Sequence, residues 1–556
     1  MGGRMSVRSG RISRLSFVAG ALLALALAVA ACGSTASDKA SPGTPKPGGT
    51  YNFPLGLEPP SIEPLNAQES EGMQVAHQIF QGLARYEPQA DGSLLAVPDI
   101  AESWSSNDDA TVWTFRLKHG VTFQRPVGRE VTARGFVDAW NYVTDPANQS
   151  YMVYVLAPIK GSDAAGYAKG GLRGVKALDR YTLQVTLKYP FAELPQILGM
   201  PVAAVWPLAY MKKIGHQAFQ SRPIGTGPYM VAKWAHGKYI DLVRNPDYWD
   251  VARAGYVDSI HLPIIPPPEE QWREFQKGSI DMMWVRATGV PQVDTVENDP
   301  NVKSGTWTAT KWPMLCVAYI GLNQRSPRLG GAANLPLRQA LNYSVDQKAL
   351  IDGALEGVPA EPKGFVPDGI PGADLSALAY PFDQARAEKL MTQSGGEASL
   401  DYWYRTDPGY ARIARMLQAG WAKVGIRVTL NDFEWGTLVS KLTQGEDDEL
   451  FITGWLADYP SIDDFLYPLF HSGSSGTGSC TSYNNPEFDR LLEQARATTD
   501  AGRRLRLYAQ AERLVLSDAP VIPLYFYRDY RITNNRVQNQ VFNPMGQVDM
   551  WKVWVK

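Results

Sequence analysis

The 556 residues exceed what one ordinary core organises, so two or three domains are expected. Apolar residues make up 44% and charged residues 20%, the balance of a globular soluble chain, and the net charge of −2 offers no basic field for a nucleic acid. Aromatic residues reach 11%, with 16 Trp and 26 Tyr, a usage that suits a ring-lined cleft as well as ordinary cores and strands.

At the N-terminus, Arg4, Arg8, Arg11 and Arg14 precede the apolar run LSFVAGALLALALAVAAC, and no acid occurs before Asp38. A charged segment followed by an apolar one is the order of an export signal. The run ends at Val29-Ala30-Ala31-Cys32, and small residues before a cysteine resemble the lipobox of bacterial lipoproteins. That resemblance implies a signal peptide over 1–31, cleaved before Cys32, whose thiol carries a diacylglyceryl group. The alternative is an uncleaved anchor, for which Leu15 to Ala31 is slightly short. No Arg-Arg pair suggests twin-arginine export. Residues 32–49 are rich in Ser, Gly, Pro and Lys and read as a flexible tether that buries no apolar area. No later stretch is long and apolar enough to span a bilayer. The expected location is therefore the outer face of the cytoplasmic membrane, with lipid as the only membrane contact.

Thr50 to Leu55 predicts a strand, and SEGMQVAHQIFQGL an amphipathic helix with Met73, Ala76, Ile79, Phe80 and Leu83 on one face. TVWTFRLKHGVTF and RYTLQVTLKYP alternate as half-exposed antiparallel strands. Between them VTARGFVDAWNYVTD is helical, with Thr132 as N-cap. Gly225 to Asn245 predicts a hairpin about a His-Gly-Lys turn. LPLRQALNYSVDQKALIDGAL and FDQARAEKLMTQSGG are helical, the second closed by Gly395. ARIARMLQAGWAKVGIRVTLNDFEW predicts helix, glycine, strand; ELFITGW and PVIPLYFYRDYRIT predict further strands. No fixed-period repeat and no low-complexity linker follow Gly49, so an α/β fold with mixed sheets and interleaved domains is expected.

The chemistry of catalysis is missing. No phosphate loop of the form Gly-x-x-x-x-Gly-Lys-Ser/Thr occurs, and Gly225-Thr226-Gly227 lacks the third glycine of a dinucleotide fingerprint and reads as a turn before Pro228. The histidines, at 77, 119, 216, 236, 261 and 471, form no metal-ligating pair, and His77 reads as a packed or surface residue. Gly473-Ser474-Ser475-Gly476 fails the spacing of a nucleophile elbow and reads as a loop. Asp463 and Asp464 are adjacent and diverge, which favours capping and solvating the following turn over paired-carboxylate hydrolysis. No cofactor, metal or enzymatic activity is expected; binding is. Outside the cytoplasm Cys316 and Cys480 could form a disulfide or remain two buried thiols, and both readings stand.

Eight segments in order carry a family resemblance: Phe80-Gln81-Gly82-Leu83, Ala101-Glu102-Ser103-Trp104, Trp113-Thr114-Phe115-Arg116-Leu117, RPIGTGPY (Arg222 to Tyr229), RNPDYW (Arg244 to Trp249), YIGLN (Tyr319 to Asn323), LRQALNY (Leu337 to Tyr343) and GWLADYPSIDDF (Gly454 to Phe465). Together they resemble the family 5 extracellular solute-binding lipoproteins of bacterial ABC importers, which serve oligopeptide, dipeptide and nickel uptake. The resemblance implies a two-lobed α/β fold of the periplasmic-binding-protein kind (class II, cluster C), with mixed sheets and an extra α+β domain inserted in the first lobe. Carried over, the first lobe joins 50–85, 205–312 and 527–556; the extra domain is 86–204 and the second lobe 313–526. Strand crossovers near Pro313 and Tyr525 would form the hinge.

The same resemblance implies a monomeric receptor that captures peptides, taken as oligopeptides, in a closing cleft and delivers them to permease subunits with a separate ATPase. A non-peptide solute (nickel complex, sugar or metabolite) and peptide sensing without transport are the alternatives. An extended peptide would pair with lobe strands while its side chains occupy roomy hydrated pockets, which makes binding tolerant of sequence. Asp458 matches the anion that meets the peptide amino terminus, with Trp455 and Tyr459 as walls and Trp435 lining the site. The loop Gln68-Glu69-Ser70 and the strand Tyr319 to Asn323 would make backbone contacts. Two departures stand out. Cys316 matches a cysteine that relatives pair with one immediately after Gly-Trp, here Leu456, so only Cys480 could bridge it. Leu450 to Thr453 occupy positions where relatives carry arginine for a ligand carboxylate.

Overall fold

The computed structural model describes residues 44–67, 69–89, 92–285, 291–377, 380–444, 449–474 and 481–556. The expected signal peptide, Cys32 and most of the tether lie outside these residues, as do Gln68 and Cys480. Among the described residues no helix is long and apolar enough to cross a membrane.

Three larger sheets organise the chain. The first orders Thr50–Asn52, Ser259–Pro263, Tyr239–Arg244 and Tyr229–Ala235, with the first pair parallel and the others antiparallel. Its last two strands are the expected hairpin, because alternating side chains give the strand Tyr239–Arg244 one buried and one wet face. The second sheet orders Ala101–Ser106, Val112–Leu117, Thr182–Thr186 and Val175–Ala177, all antiparallel. The helix Ala133–Thr144 packs beside it, with Trp140 fully buried. Thr132 does occupy the N-cap position there, although its side chain makes no capping bond.

The third sheet is mixed and has six strands: Met282–Trp284, Val521–Asn534, Trp307–Leu322, Leu450–Leu456, Ala398–Arg405 and Ile426–Phe433. Its parallel edge is made by the predicted helix, glycine and strand. The helix Pro408–Ala422 starts with Pro408 in its first turn and with Asp407 accepting from the Gly409 and Tyr410 N–H groups at 2.8 and 3.3 Å. It ends before Gly425, whose φ of +87° lets the chain turn into the next strand. Trp421 on its inner face is fully buried, and the indole N–H donates to the Leu341 carbonyl at 3.1 Å. Further back, the helix Gln384–Gln393 is capped by Ser394, one residue earlier than expected, with Gly395 following at φ +102°.

The 16-residue strand Trp307–Leu322 and the 14-residue strand Val521–Asn534 run antiparallel, with register shifts between Pro313 and Val317 and between Ala318 and Tyr319. Pro313 offers no N–H to the ladder, and the first shift follows it directly. The expected lobe borders, 312/313 and 526/527, thus fall inside these two strands. The glycines of Gly225-Thr226-Gly227 permit a close approach: a Cβ on Gly225 would lie 2.1 Å from the Ile79 carbonyl oxygen, and the Gly227 N–H donates to that oxygen at 2.8 Å. The segment therefore closes onto the end of the helix Ser70–Ile79.

Candidate functional site

The stretch GWLADYPSIDDF leaves an interior strand of the six-stranded sheet and returns as the helix Asp463–Phe470. Three bonds hold the turn. The Ala457 N–H donates to the Leu315 carbonyl at 2.8 Å, while the Asp458 N–H and the Trp455 indole donate to Asp464 Oδ2 at 2.9 and 3.2 Å. Beneath it, Arg496 grips Asp463 through Nε and Nη2 at 2.8 and 2.7 Å, and the Tyr459 and Tyr508 hydroxyls donate to the same carboxylate at 2.9 and 3.1 Å. The expectation that Asp463 and Asp464 merely cap and solvate a turn is corrected: both are buried and serve as the acceptors that shape the loop.

The loop delivers Asp458 to a cavity of about 940 Å³. One side of it is formed by Phe53, Leu55 and the start of the helix Ser70–Ile79, another by Tyr410 and Ile413 of the helix Pro408–Ala422. Its floor comes from Met314, Tyr525 and Tyr527 of the two long strands and from the loop Met545-Gly546-Gln547. Burial pushes the Asp458 carboxyl up, and the nearby Tyr154 hydroxyl opposes this by favouring the charged form. Asp464 is raised well above the usual range, by burial first and by the Asp458 charge second. Among the described residues no cation pairs with Asp458.

Glu69 and Ser70 line the cavity with Asp458. Trp455 and Tyr459 hold the loop rather than line the cavity. Trp435 is half exposed and lies with its ring centre 5.9 Å from the guanidinium of Arg405, itself a lining residue. Tyr319 and Asn323 are buried away from the lining: Tyr319 packs edge-on against Phe365 at 5.2 Å, and Asn323 accepts from the Arg325 N–H at 3.0 Å. Cys316 is a buried free thiol, held un-ionised by burial, directly opposite Leu456 in the sheet register. The position to which the resemblance assigns a partner cysteine is thus adjacent to it but filled by leucine, and the Cys480 alternative lies outside the described residues.

Sequence reasoning missed the arginines. Leu450, Phe451 and Ile452 are core residues of their strand, yet Arg405, Arg528 and Arg531 reach the cavity from other elements. Arg528 is paired with Asp368 at 2.8 Å. Arg531 is buried, paired with Asp529, and stacked over the Phe542 and Trp284 rings at 3.4 and 4.6 Å. Arg405 makes no ion pair among the described residues and sits 5.9 Å from the Tyr410 ring centre. The repeated aromatic–Arg alternation in YFYRDYRI was the available signal.

The site is thus a cleft of about 940 Å³, reached by two strands that pair along one sheet, with a carboxylate that no cation pairs among the described residues. The family model for bacterial extracellular solute-binding proteins, family 5, middle region, matches residues 96–477, and the chain belongs to that family. It is 29% identical over 550 residues to the oligopeptide-binding protein OppA of Bacillus subtilis, covering 95% of this chain and 97% of that one. Heme-binding protein A of Haemophilus influenzae is 28% identical over 512 residues, covering 89% and 90%. Among solved structures, HbpA2 from Haemophilus parasuis superposes with a TM-score of 0.79 at 23% identity, covering 91% of this chain and 100% of that one. Haemophilus influenzae OppA in complex with the peptide RPPGFSPFR gives 0.70 at 25%, covering 91% and 98%. The fold is accordingly the two-lobed α/β architecture of periplasmic binding proteins.

Proposed function

We propose that this protein is a lipid-anchored receptor that captures peptides in the cleft and passes them to an ABC import permease energised by a separate ATPase. The observation that carries the reading is Asp458: a carboxylate in the cavity wall, beside the Tyr154 hydroxyl and lacking a cation among the described residues. An ammonium group supplies the missing charge, and a peptide amino terminus is the ammonium that an extended ligand brings first. Arg405, ion-pair-free at the other wall, supplies a partner for the carboxylate end. In this reading one lobe is 50–85 with 205–312 and 527–556, the other 313–526, and 86–204 is inserted in the first. Cys32 carries the anchor, and the receptor works as a monomer on the outer face of the membrane without catalysing a reaction.

Calorimetric titration of the wild type and of Asp458→Ala with free and N-acetylated forms of one peptide tests the anchor. The substitution costs about 2–5 kcal/mol for the free amine and much less for the acetylated peptide. Equal losses for the two forms refute it. The heme-binding relative favours a second reading, a non-peptide solute in the same cleft. Saturable binding of such a solute, with no peptide bound and none copurifying by mass spectrometry, establishes that reading instead.

A further inference from the structure

The walls of the cleft are not those of a uniformly hydrated groove. Met73, Met152, Met314 and Met545 all line it, four of the 14 methionines in the chain, and each comes from a different segment. The contacts of those segments draw them toward the Asp458 loop. The Leu315 N–H, next to Met314, donates to the Pro544 carbonyl, next to Met545, at 2.7 Å, and the Leu315 carbonyl accepts from Ala457, next to Asp458, at 2.8 Å. Gln74, next to Met73, clamps Val548 of the same loop, donating to its carbonyl at 3.0 Å and accepting from its N–H at 2.8 Å. Met152 lies two residues before Tyr154, whose hydroxyl is near enough to Asp458 to influence its titration. At Gly546 the backbone comes within contact range of the same groups: a Cβ there would sit 3.7 Å from Met314 Cε and 3.8 Å from Arg531 Nη2. The Nη2 of that guanidinium is committed to Asp529 and the Gly546 carbonyl and its face stacks on two rings, while Nε and Nη1 are buried without a hydrogen-bond partner among the described residues.

We propose that the cleft selects peptides carrying a bulky apolar side chain near the amino terminus, which Met73, Met152, Met314 and Met545 enclose; this rests on the peptide reading above. Thioether side chains are unbranched, polarisable and able to change rotamer, so they mould to Phe, Leu or Met alike and make sulfur–ring contacts with aromatic guests. A wall of Leu and Ile would fit one shape; a methionine wall sorts by apolarity and bulk. Selectivity is therefore broad in shape and narrow in polarity. A polar side chain placed among these thioethers loses hydration and gains from them only weak acceptors.

The experiment uses the mature wild-type chain and tetra-alanine peptides in which each position in turn is replaced by Phe or by Ser. The expected result is that Phe at the first or second position binds at least about tenfold more tightly than Ser at the same position, with little difference at the fourth. Methyl-labelled methionine spectra of the wild type should show shifts on adding the Phe peptide that exceed those with tetra-alanine. The double variant Met314→Gln/Met545→Gln should bring the Phe-to-Ser ratio toward one. Peptides that all bind within about twofold of one another overturn the inference and leave the peptide reading standing. A failure of every peptide to bind overturns that reading and this inference with it.

Discussion

Glu512, in the helix Ala501–Asp518, gives a stability test that is independent of any ligand. Its carboxyl is 1% exposed; Oε1 accepts from the Phe365 and Val366 N–H groups at 2.8 and 3.0 Å, and Oε2 is buried with no hydrogen-bond partner among the described residues. Burial, the largest influence, pushes its pKa from 4.5 up to about 7; the two backbone donors oppose this, and the neighbouring Asp374 and Arg513 act in opposite senses. Below about pH 4.5 the group is neutral whether the chain is folded or not. Between 4.5 and 7 the folded chain keeps a proton that the unfolded chain has released, so stability falls as pH rises through that window and the contribution is gone above it. At about 1.4 kcal/mol per pH unit the ceiling is about 3 kcal/mol. Glu512→Gln keeps a carbonyl acceptor for both N–H groups and cannot titrate. Urea unfolding at pH 5 and pH 8 should show the variant gaining on the wild type by roughly 2–3 kcal/mol at the higher pH. The same difference at both pH values would refute the assignment.

Arg496→Ala leaves Asp463 buried without its guanidinium and should cost about 3–5 kcal/mol, read by unfolding, with the Asp458 loop the first region to gain hydrogen exchange. Gly225→Ala sets a Cβ against the Ile79 carbonyl and should cost at least about 2 kcal/mol in the same assay. Affinity for a peptide with a free amino terminus should fall as pH drops through the raised titration of Asp458, because protonation removes the charge that holds the ammonium; an N-acetylated peptide should show no such fall. Cys316 should resist alkylation in the folded chain and react once it unfolds, as peptide mapping by mass spectrometry would show.

Local patterns were legible in the sequence, and long-range pairings were not. The hairpin at Tyr229 and the helix, glycine and strand from Pro408 onward follow from alternation, capping and one glycine, all readable within a short window. Asp458 was legible through resemblance alone, since nothing local distinguishes it from Asp463 or Asp464. What separates the three is distant: Asp463 meets Arg496 33 residues later, and Glu193 accepts from Ser461 268 residues away, at 2.6 Å. The resemblance gives the strand Tyr319 to Asn323 backbone contacts with the ligand, yet both side chains are buried outside the cavity lining. The methionine wall was invisible for the same reason that Arg405 was: each member is ordinary in its own segment, and only tertiary folding brings them together.

The two long strands have a mechanical meaning beyond their pairing. Met314, Tyr525, Tyr527 and Arg528 sit on the very ribbons that cross between the expected lobes, within a few residues of the register shift after Pro313. Any flexing of those ribbons reshapes the surface a guest touches, and any guest that presses on that surface loads the ribbons. On the proposed lobe borders, grip and hinge motion fall on the same few residues, so a substitution chosen to retune one should be expected to alter the other.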